Sequence, residues 1–559
     1  MNSDGSRWRF AAAHTLEKIY PDYTPAESAV GLDLSVFLGE TASFQVAFTP
    51  PRTSCFRQTA AISVAVNAAA DPYVTLYSVD LVPCDLAAFS GHDKGYDRDQ
   101  PGLYPDLLRP LTDGAIAPLL GGWKALWVDF RVDDPAQAGS HDVEITMSDA
   151  LSTVLYRYTV SIEVIAADLP KLPIVNTHWL HCDGLAQFYR VEVFSEQHWQ
   201  LIDNFMASAS RMQVNSILTP IWTPPLDTEP GGHRLPTQLL RISYENGAYS
   251  FDFEQLGRWL RLCRKNDIEY LELAHLFTQW GAEATPSIYV DVAGELVEKF
   301  GWHVSAMDQS YRAFLEQLLP RLKAYLGAHW DLTKVMFHIS DEPSGPGGLS
   351  NYLRSKSVVD DLVAPCTVID ALSDVGFYDT GAVQHPVVAT DAVMPFLARN
   401  VPQLWVYYCV SQDRDVSNRF FALPSSRNRV IGHQLFAFDC AGFLHWGFNF
   451  YNSELSRRPI NPFENTTASG ALPGGDAFIV YPGENGHPLE SIRYKVFAQA
   501  MFDLRAMSQL SGLIGKAAVM ELIDTDGRGG RLQFDAYNTD PLHYLRVRAT
   551  INKRLATLA

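Results

Sequence analysis

The stretch Val335-Met336-Phe337-His338-Ile339-Ser340-Asp341-Glu342-Pro343 decides the fold. An apolar, strand-like run ends in two adjacent carboxylates and a proline. Charged groups avoid low-dielectric surroundings unless they are paired or in use. Acidic residues and proline also suit a helix N-terminus, so this string alone is compatible with a simple cap. The sequence on either side favours a strand end that carries chemistry.

From residue 174 onward, apolar strands alternate with amphipathic helices. Strands are predicted near 175–182, 215–222, 269–277, 335–340, 366–372, 385–390, 403–410 and 432–439. Between them, Leu256, Trp259, Leu260 and Cys263 show helical spacing, as do Tyr311, Phe314, Leu315, Leu318, Leu319 and Leu322. Eight such units predict a (β/α)8 TIM-type barrel, whose strand ends face the active site. The second unit carries a hairpin from Ile242 to Phe251 around Asn246-Gly247. A Gly/Pro-rich segment, 456–490, follows the eighth strand, and a helix over 491–514 closes the barrel.

Upstream, apolar residues alternate with a period of two. Phe44, Val46 and Phe48 do so, as do Ile62, Val64 and Val66, Leu126 to Val132, Val143 to Met147, and Tyr158 to Val164. This predicts an antiparallel β-sandwich. The Gly/Pro/Asp-rich stretch 91–123 is too long for a turn and reads as a functional or docking loop. The expected organisation is multidomain β plus α/β: a sandwich over 1–168, a barrel over 174–514 and a C-terminal extension over 515–559.

With 559 residues, 47% of them hydrophobic, the chain can bury a large core. A formal charge of −19, from 63 acidic and 44 basic residues, argues against nucleic acid or an anionic membrane surface as partner. The seven cysteines include no CxxC pair and read as reduced core thiols, Cys55 among them. No apolar signal core follows the polar N-terminus, and no stretch approaches the roughly 20 residues of a membrane span. The expected location is therefore cytoplasmic. The oligomeric state is left open, a homo-oligomer included.

The other predicted strand ends bring aromatic and hydrogen-bonding groups together: His178 to Asp183, Thr219 to Trp222, His275 to Trp280, Trp405 to Cys409, then Asp439 and His445 to Tyr451. Aromatic planes with polar tips suit the C–H faces and hydroxyls of a sugar. Glycoside cleavage usually places two carboxyls across the anomeric carbon, about 5–5.5 Å apart for retention and 6.5–9.5 Å for inversion. Adjacent residues cannot easily straddle one carbon. They can approach it from one side, which fits hydrolysis assisted by a 2-acetamido group of the substrate.

The stretches 337–343, His275 to Gly281, Leu404 to Cys409, Gly442 to Asn452 and Gly475 to Gly483 resemble glycoside hydrolase family 123, the β-N-acetylgalactosaminidases and their relatives. The resemblance covers roughly residues 1–515. It implies a retaining exo-β-N-acetylhexosaminidase without metal or other cofactor, acting on a carbohydrate substrate. It also implies Glu342 as general acid/base, Asp341 as partner of the acetamido nitrogen, and a tyrosine on the acetamido oxygen. Tyr407 and Tyr408 are both candidates for that tyrosine.

Substrate-binding candidates are His275, Trp280, His338, Tyr407, Tyr408, Asp439, Trp446 and Asn449. His338 suits a buried structural role equally well. His178, His181 and Asp183 do not form a metal set on a strand, since residues three apart face opposite sides. Arg427 and Arg429 read as solvated helix ends. No GxxxxGK, GxSxG or HExxH motif occurs. Two further readings are a retaining glycosidase with a nucleophile from Asp413, Asp415 or Asp439, and a sugar-binding protein with an inactive barrel.

Overall fold

The structure is a computed structural model that describes residues 7–22, 34–52 and 61–558. Cys55 lies outside these residues, and the other six cysteines are free thiols. Eight parallel strands close into a barrel: β1 (Val175–His178), β2 (Ser216–Thr219), β3 (Tyr270–Leu273), β4 (Val335–Phe337), β5 (Thr367–Leu372), β6 (His385–Ala389), β7 (Trp405–Tyr407) and β8 (Gly442–His445). Trp179, Leu218, Met336, Ala371, Trp405, Tyr407 and Leu444 fill its interior. Side chains of the opposite parity face the surrounding helices, because successive strand residues point to opposite sides.

The eighth strand differs from expectation. Residues 431–437 form a helix, Ile431–Ala437, in which Ile431 to Phe436 are all buried. A helix covered on every side shows no amphipathic period, so its short apolar run imitates a strand. The fourth strand is also shorter than predicted, since residues 338–340 leave the ladder after Phe337.

The hairpin around Asn246-Gly247 is present, pairing Arg241–Glu245 with Ala248–Asp252. Asn246 and Gly247 take φ of 51° and 84°, the positive values that a tight hairpin turn requires. A second hairpin, Ile288–Val292 with Glu295–Phe300, extends it into a four-stranded sheet. The predicted closing helix is Ile492–Ile514, and the tail forms helices Lys516–Ile523 and Pro541–Leu558.

Before the barrel stand two five-stranded sheets whose strands are mostly antiparallel. Leu34–Phe37, which pairs in parallel with Val154–Ile165, is the exception. Phe44, Val46, Leu126 and Val128 from one sheet share a buried cluster with Val143, Ile145, Val160 and Ile162 from the other. The outer face of the first sheet is buried too. Ala47, Val79, Leu108 and Trp127 pack with Val430, Ile492 and Val496 of the barrel helices.

The stretch 91–123, expected as one loop, contains the strand Gly102–Pro110 of the first sheet, and the part before that strand reaches the segment after β7. There Asp97 N–H donates to the Ala422 carbonyl at 2.8 Å, and Tyr96 OH donates to the Asp413 carbonyl at 2.7 Å. Arg427 and Arg429 are not solvated, as the sequence predicts, but buried. Arg427 pairs with Asp93 of the docking loop at 2.8 Å, and Arg429 with Asp503 at 2.5 Å. A buried cation needs such a partner. Among the described residues, no helix is long and apolar enough to cross a membrane.

Candidate active site

Beyond β4 the chain leaves the ladder, bends at Ile339 and delivers Asp341 and Glu342 to the barrel mouth, where both keep partial exposure. Three contacts set this delivery. Asp370 of β5 accepts from the Ile339 and Ser340 amides at 3.0 and 3.3 Å. Ser340 Oγ donates to the Thr278 carbonyl at 2.8 Å, and Trp280 N–H donates to the Asp341 carbonyl at 2.8 Å. Glu342 takes φ of +44°. A non-glycine residue there is strained, and such strain collects at functional sites.

Tyr407 OH donates to Glu342 Oε1 at 2.5 Å. Of the two tyrosines, Tyr407 is the one that stands beside the carboxyl pair. Tyr407 faces the barrel interior, whereas Tyr408 points outward into the helix layer, its hydroxyl 3.4 Å from Asn428 Oδ1. Cys409 Sγ lies 4.0 Å from Glu342 Oε1 and 3.3 Å from Gln412 Oε1. Gln412 in turn donates to Asp391 Oδ1 at 3.1 Å.

Burial, and then Glu342 beside it, push the Asp341 carboxyl well above the usual range, while His338 pulls it back. Burial also raises Glu342. The Tyr407 bond opposes that rise and Asp391 adds to it. Two close carboxyls in a dry site cannot both ionise freely, so the pair holds a proton where an isolated acid would have lost it.

The other predicted contacts divide into three groups. Trp280, half exposed, and Trp446, partly buried, remain available to a ligand at the rim. Trp446 is fixed by its Nε1 donating to Asp476 Oδ2 at 3.1 Å. His275 and His338 are buried and form a floor below the carboxylates, their rings stacked at 4.2 Å. Asn449 is consumed by the backbone: its Oδ1 accepts from His181 N–H at 2.9 Å and its amide donates to the His181 carbonyl at 3.1 Å.

Asp439 is misplaced by the sequence reading. It precedes β8, its side chain is 82% exposed, and it pairs with Lys516 at 2.5 Å. That is the end of the barrel opposite Glu342. Asp415 is exposed on the docking-loop side, and Asp413 lies beside Arg414 at 3.8 Å. His181 and Asp183 both bond Arg234, at 3.0 and 2.7 Å.

Sequence reasoning missed four acidic groups. Asp476 is buried, and burial raises its carboxyl to about 7 against the opposing pull of Arg419. It lies within the Gly475 to Gly483 stretch, which had marked the family without giving the residue a role. Asp391 follows β6. Glu272 and Asp370 are lone acids inside otherwise apolar strands, and that placement is itself a sequence signal for a charge turned into a barrel.

The catalytic-domain model of glycoside hydrolase 123 matches residues 179–510. A family 123 glycoside hydrolase from Clostridium perfringens, studied for glycolipid glycan hydrolysis, superposes with a TM-score of 0.71 at 13% identity. The alignment covers 99% of this chain and 100% of that one, and at this identity it shows the fold. A β-glucuronidase from Parabacteroides merdae aligns over 89% of this chain and 52% of its own, at 11% identity and a TM-score of 0.30. That score is too low to carry an argument. No curated protein matches the sequence. With the family model spanning more than half of the sequence and the paired carboxylates at the mouth of an eight-stranded barrel, the chain belongs to glycoside hydrolase family 123 and is a glycoside hydrolase.

Proposed function

We propose that the protein is a retaining exo-β-N-acetylhexosaminidase, favouring β-linked N-acetylgalactosamine, in which the substrate's 2-acetamido group is the nucleophile. The observation that carries this reading is the arrangement of Asp341 and Glu342 side by side at the end of one strand, with Tyr407 on Glu342. Glu342 protonates the leaving oxygen. Asp341 receives the acetamido N–H and stabilises the positive charge that develops as its oxygen closes on the anomeric carbon. A water then opens the oxazolinium ring, with Glu342 as base. Tyr407 is the hydroxyl nearest the pair and is assigned to the acetamido oxygen once substrate displaces its bond to Glu342. Trp446 supplies an apolar face for the sugar ring.

The test is a panel of 4-nitrophenyl glycosides with β-GalNAc, β-GlcNAc, β-Gal and β-Glc compared directly. Turnover confined to the N-acetyl sugars is expected. Asp341→Asn should remove most of that turnover while leaving the melting temperature within a few degrees. Turnover of β-Gal or β-Glc, or unchanged kinetics in Asp341→Asn, would overturn the proposal.

A further inference from the structure

Beneath Asp341 lies a group of polar side chains closed off from solvent. His338 Nε2 donates to Glu272 Oε1 at 2.6 Å, and Nδ1 faces Asp370 Oδ1 at 3.3 Å, with every partner fully buried. A neutral imidazole has one donor and one acceptor. It would therefore turn a lone pair toward one of these two carboxylates. Only the imidazolium carries an N–H on both sides, one donating to Glu272 and the other within ion-pair distance of Asp370.

The carboxylates are otherwise occupied as acceptors. Glu272 also accepts from Thr177 Oγ1, and from Trp179 Nε1 at 2.7 Å. Asp370 also accepts from Tyr352 OH at 2.5 Å, and from the Ile339 and Ser340 amides. The His275 ring lies nearly parallel to His338, and burial, with the charge on His338, holds it well below its ordinary range. Burial alone would lower His338, but its bonds to Asp370 and Glu272 outweigh burial and raise it to about 10.

This group has no room for a sugar, and its connections lead to Asp341. Asp370 holds the two amides immediately before Asp341, so the position of the carboxylate is set through the same residue that faces His338. The charges around the pair are also unequal. Asp341 is acted on by His338 together with the carboxyls of Glu342, Asp370 and Asp227. Glu342 is acted on by the Tyr407 hydroxyl and the Asp391 carboxyl, and it in turn acts on Asp476.

We infer that His338 is a buried imidazolium held between Glu272 and Asp370, and that it is a positioning group that favours the ionised form of Asp341 against the neighbouring carboxyls. The role given to Asp341 rests on the substrate-assisted reading; the charge of His338 does not.

The experiment combines nitrogen-15 histidine NMR of the whole protein with pH profiles of kcat/KM on 4-nitrophenyl β-N-acetylgalactosaminide. One histidine, absent from the spectrum of His338→Gln, should keep both ring nitrogens protonated from pH 6 to 9. Removing the cation raises the Asp341 pKa, so its ionised form is lost at a higher pH. The acidic limb of the profile should move upward by about one unit in His338→Gln, the low end for losing an opposite charge. Tyr352→Phe loosens Asp370 from outside the barrel and should move the limb the same way by less, which keeps the test open if His338→Gln does not fold. A neutral His338 at pH 7.5 overturns the inference whatever the activity. An imidazolium with unmoved limbs, even with a lowered melting temperature, also overturns it, because His338 is then structural only. Absence of turnover by the wild type on every N-acetyl glycoside defeats the functional reading and, with it, the role of Asp341.

Discussion

Glu342 is held in a left-handed backbone conformation with one carboxylate oxygen bonded by Tyr407. Losing a general acid costs about 10²–10⁴-fold. Glu342→Gln should lower kcat on natural glycosides by at least that amount, and by less on substrates with activated phenol leaving groups. Near-wild-type turnover of a natural glycoside would remove Glu342 from the mechanism. The bond from Tyr407 favours the ionised form of Glu342 and so lowers its pKa. In Tyr407→Phe that pull is gone and the Glu342 pKa rises. The alkaline limb of kcat/KM, which reports loss of the acid's proton, should therefore move to higher pH while the maximum falls. A limb that stays or moves downward would contradict the contact. At this scale the sequence was legible for Asp341 and Glu342, because two acids ending a buried strand are costly unless used. Glu272, Asp370 and Asp476 were not legible as a group, since they come from distant segments that meet only in the barrel.

At the scale of elements, the helix Ile431–Ala437 shows where pattern reading failed. Gly432 is packed so closely on the helix Ile492–Ile514 that an added Cβ would stand 2.1 Å from the Ala500 carbonyl oxygen. Gly432→Ala should force the two helices apart, with an overpacking cost of about 1–3 kcal/mol. Thermal unfolding should show the loss, while KM of the folded enzyme stays near wild type. An unchanged melting temperature would mean that the helices do not approach this closely. β8 was missed for a related reason: Gly442-Phe443-Leu444-His445 is four residues long and has no β-branched side chain. Its glycine admits the Trp405 ring, which would lie 2.0 Å from a Cβ at that position. The Asn246-Gly247 hairpin, by contrast, was legible, because its turn requires residues that tolerate positive φ.

Across the whole molecule, the sheets before the barrel are tied to the active-site loops by buried charges. Arg493 pairs with Asp106 at 2.8 and 2.9 Å and donates to the Gly475 and Phe478 carbonyls at 2.7 and 2.8 Å, on either side of Asp476. Tyr481 OH also donates to Asp106, at 2.6 Å. Asp106→Ala leaves the Arg493 charge buried without its counter-ion, a change worth about 3–5 kcal/mol. Denaturant unfolding should show that loss. Activity should fall as well, because the segment carrying Asp476 and fixing Trp446 loses its anchor. Full stability in Asp106→Ala would show that the contact between sheets and barrel is not a stabilising one. At the far side, Arg548 of the last helix joins Glu40 of the sheets to Asp503 of the barrel, at 2.5 and 3.1 Å.

The sequence by itself determined the order of the architecture, a run of period-two strands and then alternating strands and helices, together with the adjacent acids that follow β4. These are local properties: backbone periodicity, turn chemistry and the cost of placing charge after an apolar run act over a few residues. Tertiary structure decided the rest. It set Tyr407 beside Glu342 and Tyr408 in the helix layer because barrel closure turns one inward and the other outward, and it placed Asp439 at the opposite end because the preceding run is a helix. It buried His338 between two carboxylates from other strands. Those outcomes depend on which distant segments share a dry interior, where each charge must find its partner across the fold.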